Sequence, residues 1–97
     1  MRVINDFGVK NQYVISDGEH LYFQSYKSLC AMYDTYKKVL WLYQDFDYST
    51  TTSKYLHMFL NIYVNNNIYD FIKKHDIRKE KKLEYQNIKI EFILKIF

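Results

Sequence analysis

The chain has 97 residues, of which 48% are hydrophobic and 26% charged, so its length and composition indicate one globular domain over 1–97. It has no Pro and only 2 Gly, which argues against disorder, and its single cysteine, Cys30, excludes an internal disulfide or a multi-cysteine zinc site. The net charge is a modest +3, no apolar run approaches the roughly 20 residues of a transmembrane helix, and no secretory signal opens the chain, so we expect a cytoplasmic protein without membrane association.

The first half of the chain, residues 1–48, is predicted to form a β-meander. Asp17-Gly18 lies between two runs of strand-forming residues, around Val14 and Phe23, and is a strong signal for a two-residue hairpin turn. The runs SLCAMYD and VLWLYQDF follow as third and fourth strands. The fourth is apolar on both faces, which predicts a strand that is central or covered by a helix.

After Tyr48 the hydrophobic period lengthens. Apolar residues recur every four positions from Tyr55 to Val64, which is the spacing of a helix with a wide apolar stripe, suited to lying across a sheet. The run NNN interrupts this pattern, and a second, shorter helix is predicted through IYDFIKKH. Residues 50–75 therefore form the predicted helical segment.

The C-terminal run NIKIEFILKIF alternates in two sets of side chains, which is the periodicity of a strand, and 83–97 is predicted as a C-terminal strand. A helix over 88–97 is the alternative, although the four Ile of this run lower its helix propensity. This strand either joins the sheet edge or pairs with a second copy of the chain, so a homodimer stays open. The predicted fold is α+β: an antiparallel sheet of four to five strands with one main helix packed on it and a short second helix.

Five consecutive hydroxyl residues, Ser49 to Ser53, precede the main helix. One of them is expected to cap the helix, because a Ser or Thr oxygen accepts from the free N–H groups of the first turn. Together with Lys54 the run has the composition of an anion site at a helix N-terminus, but no Gly allows a phosphate to approach the backbone. A helix cap accounts for one of these five hydroxyl residues, and the role of the other four stays unassigned.

No catalytic or metal-binding constellation is visible. His20, His57 and His75 are far apart and stand in no H-x-x-x-H or H-E-x-x-H spacing. Cys30 lies in an apolar run, which favours a buried thiol over an activated nucleophile. We therefore expect a protein that is not an enzyme and that uses neither a cofactor nor a metal.

Aromatic and charged residues indicate two alternative binding surfaces. Acidic residues beside exposed aromatics offer a surface complementary to a basic groove. The predicted partner-binding residues are Tyr26, Tyr36, Asp45, Asp47 and Lys54. Most of the positive charge lies in the C-terminal quarter of the chain, and basic clusters contact nucleic acid through phosphates. The alternative nucleic-acid-binding residues are Lys73, Lys74, Arg78, Lys79, Lys81 and Lys82.

Two segments, YFQSYKSLCAMYD (22–34) and DYSTTTSKYLHMFL (47–60), resemble small proteins of bacteriophages and mobile elements in low-GC Gram-positive bacteria. The shared pattern is an S-Y-x-[ST] strand followed by Y-S-x-T-T-x-[KR] at a helix start. Its positions here are Ser25, Tyr26, Ser28, Tyr48, Ser49, Thr51, Thr52 and Lys54.

The resemblance implies a phage accessory protein that acts by binding rather than by catalysis. Proteins of this kind include anti-CRISPR inhibitors of host defence and small DNA-binding regulators. We therefore expect a protein of the host bacterial cytoplasm that binds and inhibits a defence nuclease complex, whether a protein or a ribonucleoprotein. A nucleic-acid-binding regulator and a structural or assembly protein that forms a homodimer are the two alternatives.

Overall fold

The computed structural model describes residues 1–94, which form seven strands and three helices. In chain order these are β1 (Arg2–Asn5), β2 (Gln12–Ser16), β3 (His20–Ser25), β4 (Ser28–Asp34), β5 (Val39–Tyr43), α1 (Thr50–Tyr63), α2 (Ile68–Lys74), α3 (Ile77–Glu80), β6 (Lys82–Tyr85) and β7 (Ile88–Ile93). The strands make one sheet of spatial order β1-β2-β3-β4-β5-β7-β6. None of the helices in this part of the chain is long and apolar enough to cross a membrane.

The sheet is mixed rather than antiparallel throughout. β1 to β5 follow one another as antiparallel neighbours, β7 runs parallel to β5, and β6 pairs antiparallel with β7. The predicted antiparallel sheet of four to five strands with one main helix and a short second one is therefore wrong. The edge strands β1 and β6 have only 4 residues each, too few for an alternating pattern to be recognised, and α3 is a single turn of 4 residues.

A long crossover produces the parallel pair. The chain leaves β5, passes through the three helices and returns through a hairpin, whose turn residues Gln86 and Asn87 both have positive φ, at 50° and 68°. β7 lies between β5 and β6. β5 pairs with Lys89–Ile93 and β6 with Ile88–Glu91, so Lys89–Glu91 is paired on both sides and cannot pair there with a second copy. Residues 95–97, the end of the predicted strand, lie outside the described residues.

The three helices pack on one face of the sheet and form the core with it. The Phe23 ring of β3 stacks on the Phe59 ring of α1, with centroids 5.8 Å apart. A fully buried aliphatic or aromatic side chain contributes about 1.5–3 kcal/mol, so this layer supplies most of the driving force for folding. Its other large buried members include Val14, Leu40, Leu42, Leu56, Leu60, Ile68, Ile72 and Ile90.

The opposite face of the sheet, called the open face below, is aromatic and only half-buried. Register aligns Ile15, Tyr22, Met32 and Trp41 in one row across four strands. The row ends where the Trp41 Nε1–H donates to Glu91 Oε2 over 3.1 Å. The described helices all pack on the other face, so these side chains keep partial contact with solvent.

Candidate partner-binding site at the β3–β4 turn

The turn between β3 and β4 places a tyrosine in a backbone conformation that tyrosine rarely adopts. Tyr26 has a φ of 56°, and its N–H donates to the carbonyl oxygen of Asn11 over 2.6 Å. The Gln24 side-chain amide donates to the carbonyl oxygen of Tyr26 over 2.8 Å. A bulky residue at positive φ costs on the order of 1–3 kcal/mol, so these two hydrogen bonds hold a conformation that Gly or Asn would adopt more easily.

A buried hydroxyl network lies beneath this turn. Ser49 is the N-cap of α1, because its Oγ accepts from the Thr52 N–H over 3.1 Å, as the sequence predicts. The Thr52 hydroxyl lies 3.0 Å from the Ser49 hydroxyl and 2.9 Å from that of Ser25, at the end of β3. Ser25 and Thr52 are both fully buried. A buried hydroxyl needs a partner, and here each of these hydroxyls supplies one for another.

The network explains part of the surplus in the hydroxyl run. Ser49 and Thr52 face inward and join α1 to β3, while Thr50 and Thr51 are exposed. The two segments that carry the phage-protein resemblance therefore meet in space. Their buried hydroxyls form the joint, and their tyrosines, Tyr26 and Tyr48, remain on the surface.

Around this joint the surface forms a depression of about 670 Å³, called the tyrosine depression below. Tyr26 and Tyr48 are 45% and 49% exposed in it. Its wall also includes two side chains of the open face, from β2 and β3, so the two surfaces are continuous. The complete lining is Asn11, Tyr13, Gln24, Tyr26, Lys27, Ser28, Asp45 and Tyr48.

The two acidic residues beside Phe46 have different surroundings. Asp47 accepts from both guanidinium nitrogens of Arg78, one of them at 3.2 Å, and the guanidinium lies 4.6 Å from the Phe46 ring centroid. The hydrogen bonds to Asp47 raise the pKa of Arg78. A residue of the predicted partner-binding set and one of the predicted nucleic-acid-binding set thus neutralise each other.

The Asp45 carboxylate, by contrast, has no hydrogen bond or ion pair with any residue from 1 to 94. Only its backbone oxygen is used, accepting from the Cys30 thiol at 3.5 Å and the Tyr48 N–H at 3.4 Å. The side chain is half-buried and lines the tyrosine depression. The depression therefore holds a carboxylate that forms no ion pair, although Arg78 attracts it at longer range, and the Lys27 side chain is in the same lining.

The other predicted site residues lie elsewhere. Tyr36 is 83% exposed in the β4–β5 turn, at the opposite end of the sheet. Lys54 is exposed at the start of the second turn of α1, with its Nζ 5.3 Å from the Tyr55 ring centroid. Two lining residues, Tyr13 and Tyr48, are absent from the predicted partner-binding set. Tyr48 was recognised only as part of the family pattern. Tyr13 could have been recognised from the alternation along β2, which places it on the open face.

The six basic residues from 73 to 82 are spread over α2, α3 and β6. Arg78 is held by Asp47, and the Lys79 Nζ lies 3.8 Å from an Asp76 carboxylate oxygen. The Lys81 Nζ lies 5.5 Å from the centroid of the Phe92 ring. Several of these cations therefore have intramolecular neighbours, which lowers the positive charge that this segment offers to a phosphate backbone.

Cys30 is fully buried, so the predicted buried thiol is confirmed. Burial raises the pKa of this thiol to about 12, which keeps it protonated at neutral pH. Within residues 1–94, no three His, Cys, Asp or Glu side chains are grouped so that they could hold a metal ion.

Fold and site together define a small α+β protein with a mixed sheet, one helix-covered face and a tyrosine depression at the junction of β3 and α1. The chain belongs to a family of unknown function, DUF8033, whose model matches residues 3–79. That range contains the whole lining of the depression and ends before β6. No curated protein and no solved structure matches the chain.

Proposed function

We propose that this protein is a non-enzymatic accessory protein that binds a host protein or ribonucleoprotein complex through the tyrosine depression and the adjoining open face. The observation that carries the proposal is the pairing of Ser25 with Thr52. This contact joins two segments distant in sequence and sets Tyr26 and Tyr48 around one depression. Tyrosine is enriched at protein interfaces, because it offers a large apolar body and a polar tip.

The open face supports the same function. Tyr22, Met32 and Trp41 lie in one row that leads from the centre of the sheet, and Tyr13 connects this face to the depression. Aromatic residues and Met are the side chains that interface cores concentrate, whereas Lys and Glu are depleted there. An exposed aromatic surface of this kind is typical of a docking site for another protein.

The partner class that we propose is a host defence nuclease complex, and the protein inhibits it as anti-CRISPR proteins do. This part of the proposal is supported by the resemblance of residues 22–34 and 47–60 to small phage and mobile-element proteins. An inhibitor that blocks a nuclease by occupying its surface needs complementary shape and charge, and no chemistry of its own.

A plasmid-interference assay tests the proposal. A targeted plasmid is introduced into a Gram-positive host with an active CRISPR nuclease, with and without this protein, and the nuclease complex is captured on the tagged protein. We expect plasmid recovery and stoichiometric capture with the native chain, and loss of both with the double variant Tyr26→Asn and Tyr48→Ala. Ile62→Ala, on the exposed side of α1, is the matched control and should retain both. Interference that the native chain never relieves would contradict the inhibitor role.

The nucleic-acid-binding alternative is favoured by the exposure of Lys73, Lys74, Lys79 and Lys82. It predicts that a DNA duplex is retarded in a gel and that its affinity falls steeply as salt is added. Replacing Lys73 and Lys74 by Gln should then weaken binding to every sequence about equally. Binding of that kind, together with no capture of a protein complex, would replace the inhibitor proposal.

A further inference from the structure

We propose that the tyrosine depression binds an arginine side chain of the partner, with the Asp45 carboxylate as the acceptor and the rings of Tyr26 and Tyr48 as the surfaces that contact the guanidinium. The inference rests on the proposed function, because it names the chemistry by which that surface recognises its partner. A protein or ribonucleoprotein that binds nucleic acid carries such arginines in its basic grooves.

The chain itself contains the arrangement that we expect at this interface. Arg78 pairs with both carboxylate oxygens of Asp47 and lies over the Phe46 ring, with 4.6 Å between the guanidinium carbon and the ring centroid. Asp45, on the other side of Phe46 in sequence, has the same carboxylate beside aromatic side chains. No cation among residues 1–94 forms an ion pair with it, and the attraction from Arg78 acts only at longer range. One acid of the pair is satisfied internally and the other is left for a cation from outside.

Guanidinium is the cation that fits these groups best. It is planar, it binds a carboxylate through two parallel hydrogen bonds, and its weakly hydrated face stacks on aromatic rings. The lining of the depression offers all of these contacts, together with the amide oxygens of Asn11 and Gln24 as further acceptors. An ammonium group uses fewer of them, because it is compact and strongly hydrated.

The conformation of Tyr26 is a second, independent observation. A residue at φ 56° in a short turn would ordinarily be Gly or Asn, and a tyrosine there carries a conformational cost. The two hydrogen bonds of the turn use the backbone of Tyr26, and the side chain is 45% exposed in the depression. The exposed part of this ring is available to a ligand from outside the chain.

Lys27 makes the sign of the ligand's charge testable. It lines the same depression and, like Asp45, has no ion pair among the described residues. Its ammonium repels a cationic ligand and attracts an anionic one. Removing Lys27 and neutralising Asp45 should therefore change the affinity for a charged ligand in opposite directions. A ligand that binds more weakly after Asp45 is neutralised is a cation, and one that binds more weakly after Lys27 is removed is an anion.

The experiment is a titration of the full-length protein with a short arginine-glycine peptide, its lysine-glycine counterpart and a thymidine oligonucleotide, followed by backbone amide NMR. We expect saturable shifts at Tyr26, Lys27 and Tyr48 with the arginine peptide. Asp45→Asn should weaken its binding about tenfold, the scale of one charge-assisted contact. Lys27→Ala should strengthen it. Glu84→Gln, an exposed acid of β6 outside the depression, is the matched control and should leave it unchanged.

Two results would overturn the inference that an arginine side chain binds at Asp45. Equal affinity of Asp45→Asn and the native chain, or binding of the oligonucleotide that Lys27→Ala weakens, would show that no guanidinium binds at Asp45. The native fold of each variant is read from the dispersion of the same spectra. If the arginine peptide fails while the variant of Tyr26 and Tyr48 still loses the captured complex, the proposed function stands and only the assignment of arginine falls.

Discussion

The hydroxyl oxygens of Ser25 and Thr52 lie 2.9 Å apart in the core and tie the end of β3 to the first turn of α1. Apolar packing and one part-buried hydrogen bond, from Asn5 Nδ2 to the Tyr63 hydroxyl at the other end of α1, also join the sheet to this helix. A hydrogen bond between two fully buried side chains fixes one register between them. The spacing of Tyr26 and Tyr48 on the surface depends on that register.

Thr52→Val should therefore destabilise the protein although it preserves the shape of the side chain. It leaves the buried Ser25 hydroxyl without its partner and removes the acceptor of the Ser49 hydroxyl, while the capping bond from the Thr52 backbone N–H remains. We expect a loss of about 1–3 kcal/mol in the free energy of unfolding. Urea denaturation measures it. The double variant Ser25→Ala and Thr52→Val should lose less than the sum of the single changes. Thr51→Val, on the exposed side, should stay within about 0.5 kcal/mol of the native chain.

Tyr26→Asn should separate stability from binding. Asn tolerates positive φ, so the free energy of unfolding should be unchanged or higher by up to about 1 kcal/mol. Capture of the partner complex should nevertheless fall, because the ring is lost. Thermal denaturation and the capture assay measure the two quantities on one preparation. A variant that loses stability and binding together would assign Tyr26 to the fold alone.

Arg78→Met should have a small effect that depends on salt. Its ion pair with Asp47 is partly exposed, so we expect a loss of only about 0.2–1 kcal/mol, and the Met side chain keeps much of the apolar contact with Phe46. The difference from the native chain should shrink at high ionic strength. Urea denaturation at low and high salt checks this. Lys79→Met, at a fully solvated pair with Asp76, should show no measurable effect.

Acid should destabilise the protein through two carboxylates at the end of the sheet opposite the depression. Hydrogen bonds hold the pKa of Asp17 well below its usual value, first from the Tyr22 hydroxyl and then from backbone N–H groups of its own turn. The pKa of Asp34 is lowered mainly by the backbone N–H of Lys37. Carboxylates with depressed pKa values stabilise the folded state above their unfolded pKa of about 3.9 and lose that contribution as pH falls through the folded value.

The free energy of unfolding should accordingly decline below about pH 4, where the unfolded chain begins to bind more protons than the folded one. Tyr22→Phe removes the largest cause at Asp17, so its pKa should move toward the usual value and the decline should be shallower. Urea denaturation over the acid range, with the native chain and Asp34→Asn alongside, measures the slopes. Identical slopes for Tyr22→Phe and the native chain would contradict the role of this hydroxyl.

The parts of this fold that the sequence predicts are those that depend on short, local residue patterns. The apolar stripe beginning at Tyr55, the cap at Ser49 and the turn around Gly18 all rest on neighbouring residues, although the last is a three-residue loop, Asp17–Glu19, rather than the predicted two. The insertion of β7 between β5 and β6 is a property of tertiary packing, and nothing in the alternation of 88–94 distinguishes parallel from antiparallel pairing.

The turns were harder to predict from the sequence, because several have residues other than Gly at positive φ. Tyr26, Lys38 and Gln86 all adopt it, so the usual signals for a turn are missing from the sequence. Only part of the candidate site was predictable from the sequence. Tyr26 and Asp45 stand out as an exposed aromatic and an acid, but the depression also draws on the loop at Asn11, and no spacing rule connects loops so far apart.

The position of β7 also determines when the sheet can be completed during synthesis. Because β5 pairs with β7, this edge of β5 stays unpaired during synthesis until Lys89–Ile93 has emerged from the ribosome. An apolar strand with unpaired N–H and C=O groups is a template for association with other chains, and VLWLY is such a strand. A nascent or truncated chain that ends at α3 would thus carry a complete tyrosine depression on a sheet prone to aggregate. The β6–β7 hairpin covers this edge of β5 in the folded protein.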